Sequence, residues 1–369
     1  MFASSASERP RRRFVAASLS SLALLGVGLC GAGRVSASES TFVVSSGQPA
    51  FTSPTSATPG TPVAAEVVTT TVPTTTGTTT VPPVPSGVFR WVPETHLGVA
   101  YATVSPTQTL DLYLPASSGA TPVPLVVLIH GGAFLLGDSN AENAYVPLFL
   151  QHGVAVASLN YRLMSEARYP AGAQDVKAAV RWLRAHAAEY GIDPERFGAW
   201  GQSAGGWMAT MLGVTGDQPT IYDDPSLGNA DQSSAVQAVA SWYGLTDFTT
   251  VDAQFATVTV CTGLTAAADP GSFESLWLGQ SVLTSPLAAS TNLSQYAATA
   301  ATLPTWYLAH GDQDCIVPIG QSTQLAAALQ QAGADVTLVV LGGSGHVAAT
   351  FDVTQVEPTI DFLVFALLA

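Results

Sequence analysis

Between residues 124 and 342 the sequence returns again and again to short, mostly apolar runs rich in branched and aromatic residues. PLVVLI (124–129), VAVASLNY (154–161), RFGAW (196–200), AVQAVASWYG (235–244), PTWYLAH (304–310) and DVTLVVLG (335–342) are six of them. Runs that are apolar at consecutive positions, not at alternate ones, fit strands buried on both faces. The segments between them read as helices. AGAQDVKAAVRWLRAHAAEY (171–190) puts Ala173, Val176, Ala179, Val180 and Leu183 on one face and ends at Gly191, and GQSTQLAAALQQAG (320–333) is a second helix. Another helix starts at Ala204 and a last one near Pro358. Upstream, VAYATV (99–104) and LDLYLP (110–115) read as half-buried strands. Strand and helix in alternation imply an α/β chain with a mostly parallel sheet and helices on both faces. Ligands then bind beyond the carboxyl ends of the strands, so reactive side chains are sought there.

One such end is GQSAG (201–205), directly after a strand and directly before a helix. Small residues on both sides let the chain reverse sharply and leave the Ser203 hydroxyl exposed above the sheet. Ala204 opens the helix, so its N–H lacks an intrahelical acceptor and faces any anion formed at Ser203. A serine needs a base to become a nucleophile. The candidates are His96, His130, His152, His186, His310 and His346. In sheets of this kind the order along the chain is serine, acid, histidine, which leaves His310 and His346. His310 closes a strand and reads as structural, whereas His346 lies in the loop GGSGHVAA after the last strand, where it can reach over the sheet to Ser203. Asp247, Asp312 and Asp314 each follow a strand and each can supply the acid that orients this histidine.

The chain of 369 residues has 10% charged and 47% apolar residues and a net charge of −14, which leaves no basic surface for nucleic acid. Residues 1–37 read as an export signal: Arg9, Arg11, Arg12 and Arg13 precede an apolar run, and VSA offers a cleavage site after Ala37. The arginines also suit a twin-arginine signal. Left uncut, Phe14–Gly33 is long enough to span a bilayer, and this is the one route to a membrane that the sequence offers. Residues 38–86, rich in Thr, Pro and Ser, read as a disordered linker, and residues 87–369 as the catalytic domain. Cys30 belongs to the signal, so Cys261 and Cys315 are the two cysteines of the exported chain, and an oxidising compartment favours a disulfide between them.

HGGAF (130–134), NYRL with YPAGAQD (160–175), GQSAGG (201–206) and HGDQDCIVP (310–318) followed by GSGH occur in one order. With these motifs the chain from about residue 95 onward resembles the α/β-hydrolase serine esterases. It is most similar to bacterial carboxylesterases grouped with hormone-sensitive lipase and with feruloyl-esterase-like enzymes. The resemblance implies an α/β-hydrolase fold and a triad of Ser203, Asp314 and His346. It also implies an oxyanion hole made by the N–H groups of Gly132 and Ala133 with Ala204, Gly131 making the bend. Gln202, where the lipase-like branch carries an acid, Ala133 and Trp207 tilt the likeness toward the feruloyl-esterase-like branch. Arg162 and Asp175 are expected as a structural ion pair.

The expected activity is hydrolysis of a small-molecule or wall-polymer ester, with no cofactor and no metal. Amide or formamide hydrolysis with the same triad, and a non-catalytic binding module on the same fold, are the alternatives. The segment 246–300, with Leu276, Trp277 and Leu278, is placed to form a lid or one wall of the acyl pocket. A Cys261–Cys315 bond would tie it to the loop of Asp314.

Overall fold

The apolar runs do become the centre of a sheet. The computed structural model describes residues 94–116, 121–263 and 265–369. The export signal (1–37) and linker (38–86) expected from the sequence therefore lie outside the described residues. In chain order the elements are β1 (Glu94–Ala100), β2 (Thr109–Leu114), β3 (Val123–Ile129), α1 (Val146–Leu150), β4 (Ala155–Leu159), α2 (Ala171–Ala185), β5 (Ile192–Gln202), α3 (Ala204–Thr215) and β6 (Ala238–Trp242). They continue with α4 (Val251–Phe255), α5 (Phe273–Leu278), α6 (Ser294–Ala297), β7 (Thr305–Gly311), α7 (Gly320–Gln331), β8 (Val336–Leu341), α8 (Ala349–Thr354) and α9 (Val356–Leu368).

The strand order is β1-β2-β4-β3-β5-β6-β7-β8. Strands β3 to β8 run parallel, while β1 and β2 extend the sheet antiparallel. Alternate residues of β3 enter opposite cores. Leu125, Val127 and Ile129 join the side covered by α2, α3 and α7, and Val126 and Leu128 join the side covered by α1 and α9. This two-sided burial explains why the central strands lack a polar alternation. It is the α/β-hydrolase architecture that the sequence resemblance implied.

Several expected elements shift at their edges: β5 extends over Ile192–Gln202 beyond the expected 196–200, and β6 covers only Ala238–Trp242 of the expected 235–244. The first strand lies at Glu94–Ala100, not at 99–104. Tyr101–Gln108 leaves the sheet because the buried Gln108 supplies the bonds that a neighbouring strand would have given. Its Oε1 accepts from the N–H groups of Val104 and Ser105, and its Nε2 donates to Asp175. Helix α2 ends at Ala185, five residues short of the expected Tyr190. There the His186 ring folds back onto Trp182, and Ile192 N–H reaches the Ala187 carbonyl to start β5. Arg162 and Asp175 form the expected ion pair at 2.7 Å, with the carboxylate fully buried.

Candidate active site

Strand β5 runs into α3 through a single residue, Ser203, with φ 55° and ψ −120°. That conformation is rare for a residue bearing a Cβ and is held from several directions. Ser203 N–H donates to the Trp242 carbonyl at the end of β6, and every residue of α3 is buried. The flanking glycines are needed for close approach. A Cβ on Gly201 would overlap the Gly205 carbonyl, and one on Gly205 would overlap the Ile129 carbonyl. Packed this tightly, the elbow leaves the serine side chain one direction to point, out over the carboxyl ends of the strands.

His346 meets it there. Its Nε2 lies 3.0 Å from Ser203 Oγ and its Nδ1 2.6 Å from Asp314 Oδ2. Asp314 is buried and fully engaged. Its Oδ1 accepts the N–H groups of Ile316 and Val317 at 2.8 and 2.9 Å. Burial alone would raise this carboxyl, but hydrogen bonds from His310 and His346 and their charge reverse the effect and hold it well below the usual carboxylate range. A carboxylate acceptor at Nδ1 fixes the tautomer in which Nε2 is free to accept the serine proton.

The other two acids are occupied elsewhere. Asp247 bonds Thr249 and Gln324, and Asp312 accepts the Gly343 N–H at 2.7 Å, bracing the loop that carries His346. His310 is structural, as expected, but closer to the site than its position implied. Its Nε2 is 2.9 Å from the Val317 carbonyl and 3.4 Å from Asp314 Oδ2, and its Nδ1 is 2.7 Å from Ser322 Oγ.

The HGGAF arm passes over the elbow. A Cβ placed on Gly131 would stand 2.8 Å from the Gln202 carbonyl oxygen and 3.4 Å from Ser203 Cβ. Gly132, Ala133 and Phe134 take φ of 105°, 55° and 60°, an unusual succession that turns the main chain outward. Among the described residues, the N–H groups of Gly132, Ala133 and Ala204 donate to no backbone carbonyl. The arm is pinned by Phe134, whose buried ring stacks on Trp277 with centroids 3.7 Å apart. Trp277 is thus part of the core under the arm and not a free lid residue, while Leu276 keeps some exposure. Cys261 and Cys315 form a disulfide, which joins the 246–300 segment to the residue after Asp314.

Sequence reasoning missed a cluster on the far side of the serine. Tyr243, just past β6, lays its ring 4.6 Å from that of His346, and its hydroxyl donates to Gln202 Oε1 at 2.6 Å. Gln202 Nε2 faces Glu142 Oε2 at 3.3 Å and Tyr145 Oη at 3.2 Å, and the Tyr145 hydroxyl reaches Asp352 at 3.3 Å. Tyr145 and Asp352 alone are 207 positions apart, and no motif links the cluster.

Residues 110–329 match the family model described as BD-FAE. The chain belongs to this family. Among relatives of the BD-FAE chain, Esterase LipQ of Mycobacterium tuberculosis is 28% identical over 296 residues, 77% of this chain and 65% of that protein. Esterase LipC of the same organism is 26% identical over 260 residues, 69% of this chain and 60% of that protein. The chain thus spans less than two thirds of the length of the curated relatives it matches first. A solved structure described as a truncated form of carbohydrate esterase from gut microbiota aligns with TM-score 0.63 and 29% identity, covering 75% of this chain and 97% of that one.

Proposed function

We propose that this protein is a serine hydrolase of carboxylic esters. The observation that carries the reading is the hydrogen-bonded line Ser203–His346–Asp314, begun by a serine held at positive φ. Ser203 Oγ attacks the ester carbonyl while His346 Nε2 takes its proton. Asp314 stays ionised and stabilises the imidazolium that forms. The N–H groups of Gly132, Ala133 and Ala204 receive the oxyanion, each contributing about 3–4 kcal/mol by analogy with single-donor deletions. His346 then returns the proton to the departing alkoxide oxygen. A water, deprotonated by the same nitrogen, releases the acid from the acyl-serine.

The likeness to LipQ, LipC and a carbohydrate esterase supports ester chemistry over amide or formamide hydrolysis, and supports an alcohol that is hydroxylated, such as a wall carbohydrate. The occupied catalytic positions weigh against a non-catalytic binding module. The export signal and linker expected from the sequence go with a working place outside the cytoplasm or in the cell envelope.

A panel of p-nitrophenyl esters of rising chain length, with methyl ferulate and acetylated xylan, tests the reading. Hydrolysis by the wild-type chain, lost in Ser203→Ala, supports it. An organophosphonate that fails to modify Ser203 in the wild-type chain would overturn it in favour of the binding module. N-terminal sequencing of the secreted protein checks the processing site, with Ser38 expected first.

A further inference from the structure

The two bonds that hold His346 run through its ring, to Asp314 at Nδ1 and Ser203 at Nε2. Bonds at the two ends of a ring define an axis and leave tilt about that axis unopposed. The loop carrying the ring does little to oppose it, since GGSG precedes His346 and Gly343 has φ +75°. Packed against the imidazole is Tyr243, its ring tilted 58° to it with centroids 4.6 Å apart.

Tyr243 is itself fixed at three points. Its N–H donates to the Ala309 carbonyl, its ring packs at right angles to that of Phe351, and its hydroxyl donates to Gln202 Oε1. Burial raises that hydroxyl, so it stays a donor. An amide oxygen aimed at Tyr243 sends the Gln202 NH2 group the other way, to Glu142 and Tyr145. The orientation of this amide therefore depends on what Glu142 offers. A carboxylate accepts only, and its bond from the amide is charge-assisted. A protonated carboxyl carries a hydrogen of its own and competes for the amide oxygen that Tyr243 uses.

We infer that Gln202 and Tyr243 are positioning residues for His346, and that the charge state of Glu142 sets how firmly they hold it. The inference rests on the serine-hydrolase reading above. The titratable groups facing Glu142 are Tyr145 on its own turn, Tyr161 after β4, Tyr243 after β6 and Asp352 on α8. No lysine or arginine forms an ion pair with Glu142 among the described residues. Burial, and then the charge of Asp352, pushes its carboxyl up to about 7, so the chain loosens on the acid side of neutrality.

Steady-state hydrolysis of p-nitrophenyl acetate by wild type, Tyr243→Phe and Glu142→Gln tests this. Tyr243→Phe keeps the ring and removes its anchor, so kcat is expected to fall about tenfold with KM within about twofold. Glu142→Gln keeps the shape and removes the titration. The ratio of wild-type to Glu142→Gln kcat is expected to rise several-fold between about pH 5.5 and 8.5. A ratio that stays flat, or a Tyr243→Phe variant with wild-type kcat, overturns the inference. A readout independent of turnover separates this from failure of the hydrolase reading. The His346 Hε1 resonance, shifted by the Tyr243 ring current, should move near pH 7 in a pattern that Glu142→Gln alters. Identical titration curves in the two proteins overturn the inference even if hydrolysis is normal. An altered curve in a chain that does not hydrolyse esters sinks the hydrolase reading alone.

Discussion

The ring of Phe134 lies flat against that of Trp277, 3° from parallel, and so joins the arm over Ser203 to a helix some 140 residues later. Phe134 sits at φ 60°, a conformation that needs outside support, and the stack provides it. Trp277 is fully buried, also contacts Trp207 and Tyr169, and its indole N–H has no partner among the described residues. Trp277→Ala should therefore cost about 3–5 kcal/mol of stability. It should also lower kcat at temperatures where the variant stays folded, because the arm loses its seat. Trp277→Phe keeps a ring and removes the unpaired N–H, so it should be much milder. Thermal unfolding beside ester kinetics checks both, and equal effects of the two substitutions would contradict the account.

Of the two acidic residues in GDQD, only Asp314 should be indispensable. Asp314→Asn leaves the bonds to Ile316 and Val317 available but presents the wrong partner to Nδ1, and a loss of roughly 10⁴ in kcat is expected. Asp312→Asn keeps an oxygen for the Gly343 N–H and should retain most of the activity. Parallel kinetics on the two variants decide the matter.

The central strands were legible because burial on both faces leaves an unbroken apolar run, a signal that survives without any partner in view. β1 was misplaced because it is a largely exposed edge strand with no alternation, while the buried Tyr101 and Ala102 beyond it mimic a strand. Ser203 and His346 could be ranked from chain order and position after strands. Choosing Asp314 over Asp312 and Asp247 needed the family likeness, since three aspartates stood in equivalent places. Glu142, Tyr145, Tyr243 and Asp352 were out of reach. Each is an ordinary residue in its local context, and only the sheet brings them around Gln202.

Stability should depend on pH through two carboxyls with opposite signs. The Asp314 carboxyl is held low in the folded protein, so its contribution is present above the unfolded value of about 3.9 and fades as acid protonates it. The penalty of Asp314→Asn should therefore shrink below about pH 4.

Glu142 behaves the other way. Its carboxyl is raised from 4.5 to about 7, so folding favours the protonated form and that advantage is lost as pH rises through 7. At about 1.4 kcal/mol per pKa unit, the ionised form costs on the order of 3 kcal/mol at most. Glu142→Gln should match wild type near pH 4 and exceed it at pH 8, as urea unfolding at about these two values would reveal.

The Cys261–Cys315 bond closes a separation of 54 residues. In the chain-entropy picture a loop of that length contributes about 4 kcal/mol. Replacing both cysteines with serine should lower the melting temperature by roughly 10 °C. Because Cys315 follows Asp314 directly, the same variant should lose some kcat before it unfolds. Calorimetry with and without a thiol reductant gives the first result and initial rates give the second.

The glycines that flank Ser203 also say where this protein can be re-engineered. Positions 201 and 205 have main-chain carbonyls where any side chain would begin. Mutant libraries randomised there would return almost nothing but inactive clones, however well the new side chain suited a desired acyl group. Selection for altered preference has more room at Leu136, just past the arm, and at Ile316 beside the disulfide, where more than half of each side chain faces solvent.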